Sequence, residues 1–196
     1  MVVSVLSRRQ QEIVETTMQL VSLNGIQELT MKKIATELKI TEPALYRHFT
    51  SKSEILMALI DTLNGNRQCI VADAEKEQRG FQPFAEAFFG GHARLFQSRP
   101  AMTLILFSEE IFLPESNLAR RVHSMMGGTI ALLQDRIRDA QKREELPSDV
   151  DPVTLMMQML GGFRLLVSLW RMENKSFDLE DRTRIFLSET LRLYHR

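Results

Sequence analysis

The stretch Thr30-Met-Lys-Lys-Ile-Ala-Thr-Glu-Leu-Lys-Ile-Thr-Glu-Pro-Ala-Leu-Tyr-Arg-His-Phe49 decides how the chain is read. Thr30 is a helix N-cap, because its hydroxyl accepts one of the N–H groups that a first helical turn leaves without a partner. Ile34, Ala35 and Leu38 follow at helical spacing. Lys39-Ile40 makes a tight turn, and Thr41 caps a second short helix over residues 42–49. Its Pro43 sits in the first turn, where a missing N–H does no harm. Both helices are too short to stand alone. They need a third to lie on, and the segment opened by the capping-box pair Ser7 and Gln10 supplies it. That first helix runs to about Asn24, before Gly25 as C-cap, with Ile13, Thr17, Leu20 and Val21 along one side. Three helices in this order have the geometry of a helix-turn-helix over about residues 29–49, whose second helix lies in the DNA major groove with its N-terminal residues at base edges.

The polar residues suit that geometry. Glu42, Tyr46 and Arg47 fall away from the apolar pair Leu45 and Phe49, and Lys32 and Lys33 open the helix that would cross the backbone. A second capping box, Ser51 with Glu54, starts a fourth helix carrying Ile55, Leu56, Leu59, Ile60 and Leu63. Lys52 lies in its first turn, where free N–H groups and the helix dipole favour a phosphate. Charge balance alone does not require nucleic acid. Seven basic residues up to position 64 (Arg8, Arg9, Lys32, Lys33, Lys39, Arg47, Lys52) meet seven acidic ones (Glu12, Glu15, Glu28, Glu37, Glu42, Glu54, Asp61). The alternative is a mixed solvated surface with Tyr46 as a packing residue, so the weight falls on placement.

The wording of residues 30–38 and 41–49, followed by Ser51-Lys52, resembles the tetracycline-repressor (TetR) family of bacterial transcription regulators. The resemblance covers about residues 6–66, with Ile34-Ala35, Leu45-Tyr46, Phe49 and Lys52 at the family's spacing. It implies a DNA-binding domain over 6–66 and an effector-binding and dimerisation domain over 67–196, matched there only in layout. It further implies that Tyr46 and Lys52 hold phosphates, and that Thr41, Glu42, Pro43, Ala44 and Arg47 lie against the groove. His48 would be near the backbone, and Thr30 would cap and touch phosphate. Arg47 is the candidate for direct readout, since Arg pairs with guanine through two hydrogen bonds. Glu42 either accepts from a cytosine amino group or stabilises its own helix N-terminus. Many relatives have Gly where this chain has Lys39, so either a left-handed Lys39 costs about 1 kcal/mol or the turn differs slightly from theirs.

The 196 residues are 44% hydrophobic and 26% charged, with 25 basic and 25 acidic side chains, ordinary for a folded soluble protein. Cys69 is the one cysteine, which excludes an intrachain disulfide and the multi-cysteine zinc patterns. It reads as an inert thiol near the core. No run of roughly 18 or more uninterrupted apolar residues is present, and the N-terminus lacks the features of a signal peptide. The expected location is the cytoplasm.

Apolar spacing is helical throughout, so the fold class is all-α. Helices are expected over about 68–78, 83–97 and 100–112, then a long one carrying Leu118 to Ala140. Asp151-Pro152 starts another and Asp178 caps the last. Phe84, Phe88, Phe89, Phe96, Met102, Phe107, Phe112, Met125 and Met126 are either core or the wall of a cavity for an apolar or aromatic effector. The candidate pocket residues are Phe88, His92, Phe96, Phe107, Met125 and Met126, with Arg94, Glu109, Glu110 and His123 as further polar anchors. Gly161-Gly162 marks either a kink or a close helix approach. Met156, Leu160, Phe163, Val167 and Trp170, with Leu187, Leu191 and Tyr194, form the expected dimer interface, a four-helix bundle.

Motifs for zinc hydrolysis, serine nucleophiles, phosphate loops and dinucleotides are absent, and no histidine follows a Glu by three residues. No catalytic residue, cofactor or metal is expected. The sequence therefore predicts a homodimeric, ligand-responsive repressor that binds a palindromic double-stranded DNA operator and does not engage a membrane. A helical enzyme and a helical protein-interaction adaptor are the alternatives.

Overall fold

The computed structural model describes residues 6–77, 80–107 and 117–194. Among them the chain forms nine α-helices and no strand: α1 Arg8–Asn24, α2 Met31–Glu37, α3 Glu42–Tyr46, α4 Lys52–Ala74, α5 Phe81–Ser98, α6 Ala101–Leu106, α7 Asn117–Lys142, α8 Pro152–Met172 and α9 Leu179–Arg192. The all-α expectation holds. The helices fall into two compact units, Met1–Asn66 with Arg99–Ser124, and Arg67–Ser98 with Met125–Arg196. The sequence places residues 99–107 and 117–124 with the larger domain, whereas by packing they group with the N-terminal helices.

In the first unit α1 opens with the expected capping box. The Ser7 hydroxyl accepts from the Gln10 N–H at 3.2 Å and the Gln10 carboxamide oxygen accepts from the Ser7 N–H at 3.0 Å. It ends at Gly25, whose φ of 81° a glycine adopts freely and whose N–H bonds to the Val21 carbonyl. Ile13, Val14, Thr17, Met18 and Val21 are buried, and α1 packs on α2 and α6. The helix expected over 100–112 is only the six residues of α6 among those described, with Ala101, Met102, Thr103 and Ile105 buried. Phe112 lies outside the described residues, as do Glu109 and Glu110.

Helix α4 corrects two expectations. It runs unbroken through Asn64-Gly65 to Ala74 and thus joins segments read as separate helices. A mid-helix Gly costs about 1 kcal/mol relative to Ala, less than the burial of Leu59, Ile60 and Leu63 on one side of it and Ala74 on the other contributes. Cys69 is exposed rather than near the core.

In the second unit α5 buries Phe81, Phe84, Phe88, Phe89 and Phe96. Gly91 lets α4 come close: a Cβ there would lie 2.7 Å from a methyl of Ile70. Helices α5 and α8 both pack on α9. Asp151 caps α8 with Pro152 in the first turn, and Asp178 caps α9 by accepting from the Asp181 N–H. Along α8 and α9, Met156, Phe163, Val167, Trp170, Leu187 and Leu191 are buried within the chain itself. The stripe expected to meet a partner is therefore mostly the chain's own core, with Leu160 and Tyr194 half-buried at its edge. The Tyr194 hydroxyl is hydrogen-bonded to Gln158. The apolar side chains left outside are Val153, Met157, Leu165, Leu169 and Met172 of α8, with Ile185 of α9 and Leu193 just after it. Helix α8 is apolar on more than one face, so spacing alone does not say which face turns inward. It is also the one helix among the described residues long and apolar enough to cross a membrane by length and composition, and it carries Arg164 and Arg171.

Candidate nucleic-acid interface and effector wall

Four local devices shape the N-terminal head. Thr30 accepts from the Lys33 N–H at 3.1 Å and starts α2. At the other end the Lys39 N–H bonds to the Thr36 carbonyl and the Ile40 N–H to the Ala35 carbonyl, each at 3.0 Å. This pair of bonds is the Schellman closure, which needs a left-handed residue between them. Lys39 supplies it with φ 53°, the first of the two alternatives for this turn. Thr41 then accepts from the Ala44 N–H at 3.3 Å and starts α3. Leu45 and Phe49, 0% and 2% exposed, pin α3 from beneath. The helix is shorter than expected: it ends at Tyr46 with Arg47 as C-cap, because the His48 N–H bonds back to Leu45 and tightens the last turn.

On that scaffold Thr41, Pro43, Tyr46 and Arg47 are exposed, with Tyr46 at 46%, while Glu42, Ala44 and His48 are half-buried. Lys32 is exposed on α2, and its neighbour Lys33 pairs with Glu28 at 2.7 Å. The hydrogen bond and charge of Lys33 hold the Glu28 carboxyl below its usual range. Lys52 is half-buried and donates to the Ile26 carbonyl at 3.2 Å, which ties α4 to the loop before α2 and leaves two ammonium protons for other acceptors. The second capping box is offset. Ser51 accepts from the Glu54 N–H at 3.2 Å, but the Glu54 carboxylate reaches past it to the Thr50 N–H and hydroxyl at 2.6 and 2.8 Å.

Of the pocket candidates, Phe107 belongs to the first unit and the others to the second. There Phe88 stacks on Phe84 and meets Phe89 edge to face, with ring centroids 6.1 and 5.1 Å away, and Phe89 and Phe96 both meet Phe163. His92 sits 4.6 Å from the Phe88 ring, its Nδ1 2.8 Å from the Phe88 carbonyl oxygen. Burial, with a smaller push from the Arg67 charge, lowers its pKa to about 4, so the imidazole is neutral at pH 7. Met125 is half-buried and Met126 is 39% exposed. Arg67 is the residue that sequence reasoning missed. Helix α4 carries it into the second unit, where its guanidinium lies 3.5 Å from the Thr129 hydroxyl and burial lowers its pKa. It lies two residues beyond Gly65, in the gap between the helix expected to carry Leu63 and the one expected over 68–78. Arg94 pairs with Glu180 at the surface, and His123 is exposed. No cluster of three or more His, Cys, Asp or Glu suited to a metal occurs among the described residues.

The chain is 27% identical over 158 residues to the nucleoid occlusion factor SlmA of Edwardsiella ictaluri, which covers 78% of each chain. Its fold is similar to that of the transcriptional regulator FadR from Bacillus subtilis, solved in complex with stearoyl-CoA, with a TM-score of 0.80 at 18% identity over 94% of this chain and 99% of that one. It is likewise similar to AibR, solved with isovaleryl coenzyme A and operator DNA, with a TM-score of 0.77 at 18% identity over 93% and 97%. Residues 13–59, which hold most of α1 with all of α2 and α3 and the start of α4, match the family model described as bacterial regulatory proteins, tetR family. The head geometry and this match together show that residues 13–59 form a helix-turn-helix head of the tetR type.

Proposed function

We propose that the chain is a homodimeric repressor that binds a palindromic operator through α3 and releases it when a small apolar effector binds the Phe-rich unit. The observation that carries this reading is the exposed ridge of Thr41, Pro43, Tyr46 and Arg47 on a helix fixed by the buried pair Leu45 and Phe49. Arg47 reads a guanine, while Tyr46, Lys32 and the remaining ammonium protons of Lys52 hold phosphates. The half-buried carboxylate of Glu42 lies in the first turn of α3 and stabilises that helix end. Two copies join through the apolar face of α8 and α9 left outside the chain's core, with Met157, Leu165, Leu169 and Ile185 at its centre. Their α3 helices then enter successive major grooves about 34–36 Å apart.

The effector lies along Phe88, His92, Phe96, Met125 and Met126, with Arg67 as the polar group beside them. FadR and AibR hold acyl-CoA molecules, and an acyl chain is the kind of apolar group that a Phe and Met wall accepts. An effector that fits one arrangement of this wall opposes DNA by reciprocal linkage. The protein acts in the cytoplasm and carries out no turnover. The similarity to a nucleoid occlusion factor supports a second reading, in which DNA binding serves chromosome organisation rather than effector-controlled transcription.

Electrophoretic retention of the duplex flanking the protein's own gene, with unrelated competitor DNA, tests the proposal. Preferential retention that a fatty acyl-CoA abolishes supports the repressor reading. Retention indifferent to any apolar effector favours the second reading, and no preferential retention at low salt contradicts both.

A further inference from the structure

Gln10 of α1 uses both ends of its side-chain amide, and the two ends do different things. Its oxygen accepts from the Ser7 N–H at 3.0 Å and completes the α1 capping box. Its Nε2 donates to the main-chain carbonyl of His48 at 3.2 Å, 38 residues further along the chain. The first bond is what the sequence spacing of Ser7 and Gln10 calls for. The second is long-range, and nothing in the capping box requires it.

The acceptor of that second bond is one residue beyond Arg47, the C-cap of α3. A helix of five residues has no stability of its own, since nucleation costs more than so few bonds return. Its rotation about the Leu45–Phe49 anchor is therefore set by what grips its two ends. At the entrance the grip is the Thr41 cap, reached directly from the Lys39 closure. At the exit it is the Gln10 amide on the His48 carbonyl. We infer that Gln10 is a positioning residue for DNA recognition, which fixes the C-terminal end of α3 and with it the direction in which Arg47 leaves the backbone.

This inference rests on DNA recognition through α3, so its test must separate the two. Three variants divide the amide. Gln10→Glu keeps the acceptor for Ser7 and loses the donor to His48. Gln10→Lys keeps a donor and loses the acceptor. Gln10→Met is neutral, of similar length, and loses both. A charge placed near DNA changes all duplex affinities alike through phosphate electrostatics, so the readout is the ratio of operator affinity to that for a scrambled duplex of equal length at one salt concentration. A positioning role predicts that this ratio falls about fivefold in the Glu and Met variants, the worth of one net hydrogen bond, and stays at the wild-type value in the Lys variant. Amide hydrogen exchange at residues 46–49 is expected to quicken in the same two variants and not in the third, which reads the tether without DNA. An unchanged ratio in the Met variant, or an equal fall in the Glu and Lys variants, overturns the inference and leaves Gln10 a helix cap only. A wild-type protein with no preference for its operator overturns the DNA reading itself, and is seen before any variant is made.

Discussion

Gly162 of α8 lies directly beneath the ring of Phe186 of α9, so that a Cβ at Gly162 would run into the ring edge. Its neighbour Gly161 has nothing within 4 Å of where a Cβ would stand. The pair thus serves as a close approach and not a kink, and the approach is made within one chain. Alanine gains about 1 kcal/mol of helix propensity at either site, but only at Gly162 must the Phe186 ring move. We expect Gly162→Ala to be less stable than Gly161→Ala by about 1–3 kcal/mol, the cost of overpacking. Urea titrations of the two variants check this, and Phe186→Leu in the Gly162→Ala background should recover much of the difference.

Lys39 holds a left-handed backbone that glycine adopts without the Cβ clash. Lys39→Gly is expected to raise the unfolding free energy by about 0.5–1 kcal/mol, while Lys39→Ala, which keeps the Cβ, gives no gain. Thermal unfolding of both variants under one buffer condition decides it.

Arg47 and Lys52 differ in their surroundings, and so should their variants. Arg47 is exposed at the end of α3, and Arg47→Ala should cost about 1–3 kcal/mol against the operator and relax selection at one guanine, with little change for scrambled DNA. Lys52 is bonded to the Ile26 carbonyl, and Lys52→Ala should weaken all duplexes alike and reduce the salt slope by about one. Anisotropy titrations at several salt concentrations measure both.

Much of the head is legible in the sequence because its determinants are local. A capping side-chain oxygen needs only a partner N–H two or three residues on, and Ser7, Thr30, Thr41, Asp151 and Asp178 all cap as their spacing predicts. The turn at Lys39 is local too, but its sequence leaves two geometries open. The continuity of α4 through Asn64-Gly65 is settled instead by packing on either side of it, at Leu63 and at Ala74, which the local signal does not carry. That is also why Arg67 was not anticipated beside Thr129. The inward face of α8 depends on where α9 lies, and a helix apolar on more than one face carries no mark of which one its partner covers. The proposed DNA contacts follow from the tetR resemblance and from exposure, whereas the tether from Gln10 to His48 spans 38 residues and leaves no trace in spacing.

His92 couples stability to pH. Its folded pKa of about 4 lies below the ordinary 6.5 because burial disfavours the charged ring. Above pH 6.5 the ring is neutral whether the chain is folded or not, and the stabilisation is fully present. As pH falls from 6.5 towards 4 the unfolded chain binds a proton that the folded chain does not, and stability is lost, by up to about 3 kcal/mol. Below 4 both states are protonated and the loss levels off. His92→Gln, which does not titrate, should show a flatter dependence of unfolding free energy on pH across this window, measured by urea titration at half-unit steps.

In the proposed function two copies of α3 read DNA together from an Arg47-bearing ridge. Affinity selection of duplexes from a random pool, followed by sequencing, measures this. The expected result is enrichment of an inverted repeat whose half-sites are centred about 10 base pairs or a multiple apart, and loss of the guanine preference when the selection is repeated with Arg47→Ala. A pool that stays random, or an enriched motif that Arg47→Ala leaves intact, would contradict it.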